Sequence, residues 1–282
     1  MSHPSRILFG LAAAALMTVA TVAVASSASA AGKTTLSSNE ALGLGDNGTT
    51  LRIFELNDPD DDEFIASVSG LMDGDTKLIG IDYRVQDDKF YGVGDDEGVY
   101  TINTKTGAAT KVSELTVALS GTHFDIDFNP AADRLRVISD NGQNLRHQLG
   151  GTTTNDGVLD YAGVTAPGVT GAAYTNNDLS PDTATTLFDI DSNLDQVAIQ
   201  LPPNDGTLNL TGKLGIGVSQ IVGFDIQNTV SSGRTVSNTA YASLRSSDAG
   251  EPNLYQIDVL SGKATKVDDF DKQIADIAVK QP

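Results

Sequence analysis

The residues best placed to do chemistry are carboxylates. Asp82, Asp127 and Asp225 occupy the same place in three similar segments, Ile81-Asp82-Tyr83, Ile126-Asp127-Phe128 and Phe224-Asp225-Ile226. Asp125 and Asp276 stand two residues earlier in that frame, and Ala173 and Ala278 interrupt the series at the Asp82 position. A ring of such groups could hold a hard cation such as Ca²⁺, which takes about six to eight oxygen ligands. It could also carry the two-carboxylate acid–base chemistry of a glycosidase. A second set lies in short polar runs, Asp73-Gly74-Asp75, Asp95-Asp96-Glu97 and Asp140-Asn141, whose oxygens suit the same ion. The plainer expectation for that set is turn chemistry, because Asp, Asn and Gly are what tight hairpins require.

Other catalytic constellations are missing from the sequence. His123 and His147 belong to no His-x-His or His-Glu-x-x-His pattern, so zinc is poorly supported. There is no cysteine nucleophile, no Gly-x-Ser-x-Gly elbow and no glycine-rich phosphate loop. The absence of Trp weakens a lectin reading; Tyr83, Tyr91 and Tyr174 are expected to pack rather than to stack on sugar. Arg134, Arg136 and Arg146 either pair with nearby aspartates or bind an anion, and pairing is the simpler expectation.

The elements that must position these groups recur. The segments centred on Ile81, Ile126, Ala172, Phe224 and Ile277 resemble one another at steps of 45, 46, 52 and 53 residues. Within the second unit, Leu78–Tyr83, Lys89–Val93, Val99–Ile102 and Ala109–Val112 alternate in polarity between turns, which predicts a four-stranded meander. The stretch Tyr255–Val267 repeats Tyr100–Val112 almost residue for residue. A strand repeat of this length predicts an all-β chain, a single β-propeller of five four-stranded blades. The N-terminal unit lacks a first strand, whereas Ile274–Val279 is a first strand with nothing after it. Pairing the C-terminal strand into the N-terminal blade would close the ring and remove the free edges.

In such a ring, the loops joining second to third strands and those joining blades share one face. That face should carry Asp95, Asp96, Glu97 and Asp140. The acid run Asn57–Glu63 is expected in a solvated loop on the opposite face, and it lacks the spacing of an EF-hand. An inner-strand carboxylate without a partner would be costly. Asp82, Asp127 and Asp225 are therefore expected to accept donors from the next blade, with a channel metal site as the sharper alternative.

Residues 1–30 are expected to be a signal peptide: Arg6, an apolar Ile7–Ala25 stretch and the small-x-small site Ala28-Ser29-Ala30. A disordered lead at 31–39 would follow, then the propeller domain over 40–282. This implies a secreted, extracellular protein with no membrane contact after cleavage, and a monomer is expected. The net charge of −19 argues against nucleic acid and anionic lipid as partners.

Two stretches resemble the bacterial secreted family called domain of unknown function 4394. They are Leu78–Arg84 continuing to Phe90–Gly94, and Asp127–Val137 continuing to Ser139–Arg146. The resemblance implies an exported, propeller-like protein and supplies no catalytic residues. Two functions stay open on the sequence: a non-catalytic module that binds an extracellular protein or small ligand, and a calcium-dependent hydrolase of a glycan or phosphoester.

Overall fold

A computed structural model describes residues 36–45, 47–246 and 250–282, together with Met1. Apart from Met1, the expected signal peptide lies outside the described residues, as does most of the expected lead. The chain is all-β; its one other regular element among the described residues is a 3-10 turn at Pro203–Asp205. No described helix is long and apolar enough to cross a membrane.

Blade one holds β1 (Glu40–Gly45), β2 (Thr50–Glu55) and β3 (Asp58–Ser67). Blade two holds β4 (Leu78–Arg84), β5 (Lys89–Gly94), β6 (Gly98–Ile102) and β7 (Ala109–Glu114). Blade three holds β8 (Phe124–Asn129), β9 (Arg134–Ser139), β10 (Asn144–His147) and β11 (Thr153–Asn155), followed by a ribbon of β12 (Asp160–Tyr161) and β13 (Val164–Thr165). Blade four holds β14 (Val169–Tyr174), β15 (Leu187–Asp191), β16 (Gln196–Gln200) and β17 (Leu208–Lys213). Blade five holds β18 (Gly223–Ser231), β19 (Arg234–Leu244), β20 (Asn253–Ile257) and β21 (Ala264–Asp269). The last strand, β22 (Ile274–Val279), pairs antiparallel with β1, Ala41 opposite Val279 and Gly43 opposite Ile277, and completes blade one as its innermost strand. The strands β4, β8, β14, β18 and β22 touch in that order and back to β4, so five blades form a closed ring.

Burial falls radially, as the strand patterns require. All six residues of β14 are buried, whereas the outermost strand β21 has none. Inner strands are packed on both faces by neighbouring blades and outer strands on one. Tyr91 of blade two meets Phe128 of blade three edge-on at 5.0 Å, which puts an aromatic pair between blades as expected.

The internal repeat is visible in turn chemistry. Asn103 Oδ1 accepts the N–H groups of Lys105 and Thr106, and Asp258 Oδ1 accepts those of Leu260 and Ser261. Each of these Asx turns ends on a left-handed glycine, Gly107 (φ 70°) and Gly262 (φ 77°). A Cβ on Gly107 would lie 2.6 Å from the Ser67 carbonyl oxygen, so glycine is also demanded by the preceding blade.

The acid run departs from expectation. Asp58–Glu63 is not a loop but the first part of β3, entered through a tight turn, with Glu55 opposite Asp58 and Ile53 opposite Glu63. Outermost strands face water, so the acids are tolerated there, and Asp62 forms an ion pair with Arg52. Carboxylates crowd at its start: the neighbouring Asp60 side chain raises the Asp58 pKa.

Deletion of residues 274–282 should leave β1 without its inner partner and expose a free edge at the ring's centre. The expected outcome is loss of the cooperative thermal transition and aggregation, followed by circular dichroism and size-exclusion chromatography.

Candidate functional site

An inner strand has one ladder neighbour. Its other edge faces the axis, where backbone N–H groups still need acceptors. Inner-strand aspartates supply them. Asp276 Oδ2 accepts Ile81 N–H at 2.7 Å, and Asp82 Oδ2 accepts Phe128 N–H at 2.7 Å. Asp125 Oδ2 accepts Ala172 N–H at 2.7 Å, and Asp225 Oδ2 accepts Val279 N–H at 2.5 Å. Each bond runs from one blade to the next. The second oxygens of Asp125, Asp225 and Asp276 accept the N–H of the following residue in their own strand, Ile126, Ile226 and Ile277. Four of the five interfaces are therefore stapled by an inner-strand aspartate. At the fifth, between β14 and β18, the Asn177 amide donates to the Ile226 carbonyl at 3.0 Å. Asn177 falls outside the repeat register, so no sequence signal marked it.

Packing beside the staples is close: a Cβ added to Gly80 would stand 3.1 Å from Ile126 Cγ2 and 3.4 Å from Asp276 Oδ2.

The staples also crowd charge. Asp82, Asp127 and Asp225 present one oxygen each within 4.8 Å of one another, all three side chains buried. Burial pushes all five inner carboxyls up, reinforced at Asp82, Asp125, Asp127 and Asp276 by their neighbours' charge; Asp225 rises to about 7 and Asp276 to about 8. Asp127 differs in one respect. The N–H of Phe128, which follows it, is taken by Asp82, and Asp127 Oδ1 is left buried with no hydrogen-bond partner.

The hairpin acids lie apart from this group. Asp95 accepts the N–H groups of Thr76 and Lys77 at 2.6 and 3.1 Å, and Asp140 accepts that of Thr122 at 2.8 Å. Burial would raise the Asp95 pKa, but the bonds from Thr76 and Lys77 outweigh it and leave it lowered. Glu97 Oε1 accepts Leu119 N–H at 2.7 Å, whereas Asp96 is exposed and its own N–H is held by Asp75. These acids fasten the second hairpin of a blade to neighbouring loops. Arg136 and Arg146 both pair with Asp156, at 2.8 and 3.0 Å, as expected of pairing rather than anion binding, whereas Arg134 donates to the Ala132 and Asp133 carbonyls and to Gln148.

On the same face, a cavity of about 240 Å³ opens at the mouth of the ring. Lys77, Ile79, Thr122, His123, Gln220 and Ile221 help to line it, and it reaches in as far as Asp276. Blades one, two, three and five contribute to it.

Asp225→Ala leaves Ile226 and Val279 N–H without their acceptor, at about 1–3 kcal/mol for each orphaned group. Urea denaturation should show a loss of about 2–6 kcal/mol. A pH effect is expected at His147, whose nitrogens lie 2.7 Å from Ser113 Oγ and 3.0 Å from Thr153 Oγ1. Burial lowers its pKa from 6.5, so the folded state binds fewer protons than the unfolded one. Its contribution is present above a pH of about 6.5 and lost as the pH falls below that. The stability advantage of the wild type over His147→Asn should shrink in melts taken from pH 7.5 to 5.5.

No curated protein matches this sequence. Solved structures with a similar chain path include a protein of unknown function from Bacteroides thetaiotaomicron, 11% identical, with a TM-score of 0.47 over 62% of this chain and 45% of that one. This chain thus spans under half the length of that protein. A chain of the nidogen/laminin complex is 12% identical, with a TM-score of 0.48 over 86% of this chain and 98% of that one. An auxiliary nutrient binding protein from Bacteroides ovatus is 12% identical, with a TM-score of 0.41 over 80% of this chain and 57% of that one. The model of the family described as a domain of unknown function, DUF4394, matches residues 50–278, from the start of β2 into β22, and the chain belongs to that family.

Proposed function

We propose that this protein is an exported, extracellular binding module that takes a small ligand in the mouth cavity and does not catalyse its turnover. The observation that carries this reading is the cavity itself. Loops and strand ends from four blades converge on it, with Ile79 and Ile221 beside Lys77, His123 and Gln220. Such a mixture of apolar wall and a few polar groups suits ligand recognition. At about 240 Å³ it lies a little below the usual range for drug-sized ligands, so the ligand is a small one. The strongly acidic chain favours a neutral or cationic molecule over an anionic one.

Burial supports the non-catalytic side of the reading. An acid or base in glycoside hydrolysis must flank the scissile bond. Asp82, Asp127 and Asp225 are 5%, 2% and 2% exposed, too enclosed to touch a glycan or phosphoester. The apolar N-terminal stretch with Ala28-Ser29-Ala30 supports export.

Thr122 is exposed and lines the cavity, so Thr122→Trp should fill the mouth and spare the core. In a thermal-shift screen of small polar metabolites, compounds that raise the wild-type melting temperature should lose their effect on this variant. Shifts that persist in Thr122→Trp, or turnover of chromogenic glycosides or phosphoesters, would overturn the reading.

A further inference from the structure

We propose that Asp82, Asp127 and Asp225 bind one Ca²⁺ ion at the centre of the ring, each carboxylate coming from a different blade. The spacing fits. Oxygens in one calcium shell stand about 2.3–2.6 Å from the ion, so two of them can be at most about 5 Å apart. The three carboxylates each offer an oxygen within 4.8 Å of the other two. All three ligand types are anionic oxygens, the donors a hard cation prefers.

A second observation is independent of the clustering. Asp127 is 2% exposed, and its Oδ1 has no hydrogen-bond partner. An unsatisfied buried carboxylate oxygen is costly, and this one belongs to a member of the three-carboxylate cluster. Its lack of a partner has a structural cause, because Asp82 holds the Phe128 N–H. A bound cation would satisfy that oxygen, and nothing in the stapling pattern does.

The surroundings agree. Asp225 accepts backbone N–H groups on both oxygens, the arrangement of an ionised carboxylate. Burial acts most strongly on all three carboxylates, followed by neighbouring inner aspartates at Asp82 and Asp127 and by backbone N–H donors at Asp225. Asp276, one step closer to the mouth, lines the cavity, so water can approach the centre from that side to fill the remaining coordination positions. The ion site is independent of any ligand in the mouth.

The test uses Ca²⁺ alone on chelator-treated protein, followed by calorimetric titration and thermal melts. Wild-type protein should bind one ion, with a melting temperature higher by about 5–10 °C at a calcium concentration 100-fold above Kd. Asp127→Asn should weaken binding at least tenfold, and Asp95→Asn, in an outlying hairpin, should bind like wild type. The absence of any calcium effect on wild type, or equal affinity in Asp127→Asn, would overturn the proposal. Should Asp127→Asn fail to fold, anomalous diffraction from wild-type crystals soaked in Ca²⁺ decides: a peak between the three carboxylates supports the site, and peaks elsewhere only refute it.

Discussion

The free edge of the innermost strand is the constraint from which the centre of this molecule follows. Five strands converge on the axis, each with a ladder partner on one side only, and no further strand can be added there. Their channel-facing N–H groups must still find acceptors. Aspartate answers this need with a side chain short enough to bridge two strands and two oxygens with which to do so. The result is a set of staples from blade to blade, Asp276 to Ile81, Asp82 to Phe128, Asp125 to Ala172 and Asp225 to Val279. With no cysteine in the chain, these bonds, ladder pairing and packing hold the ring.

The same solution concentrates negative charge where water is scarce. Satisfying the backbone and separating the carboxylates cannot both be achieved with five aspartates around one axis. Asp127 is where the conflict surfaces, because the N–H that would complete its set is already held by the preceding blade. The hairpin carboxylates serve the backbone without this conflict. Asp75 accepts the N–H groups of Asp96 and Gly98, and Asp95 those of Thr76 and Lys77. In a chain with 37 acids and 18 Lys and Arg residues, many carboxylates have no cationic partner, and capping N–H groups is a major use for them.

Much of this was legible before any coordinates. The spacing of Ile81, Ile126, Ala172, Phe224 and Ile277 reported blade number, and the orphan strand at Ile274–Val279 reported ring closure. Local periodicity and turn residues carry that information because each blade is a local meander. The acid run at Asp58–Glu63 misled, since composition alone does not separate a solvated loop from an outermost strand with one face in water. Asn177 was invisible for another reason: it works from a loop, outside the repeat, at the one interface without an inner-strand aspartate staple.

By itself the sequence determined the propeller, its five blades, its closure by the last strand and the shared register of Asp82, Asp127 and Asp225. It put the hairpin acids and the inner aspartates on equal footing as candidate ligands. Only the tertiary structure separated them. Whether two carboxylates far apart in the chain meet, and whether an N–H is already taken, depends on how neighbouring blades are set around the axis. Asp82 and Asp225 are 143 positions apart and converge because both inner strands face one axis, whereas Asp95 and Asp140 turn to the backbone of nearby loops.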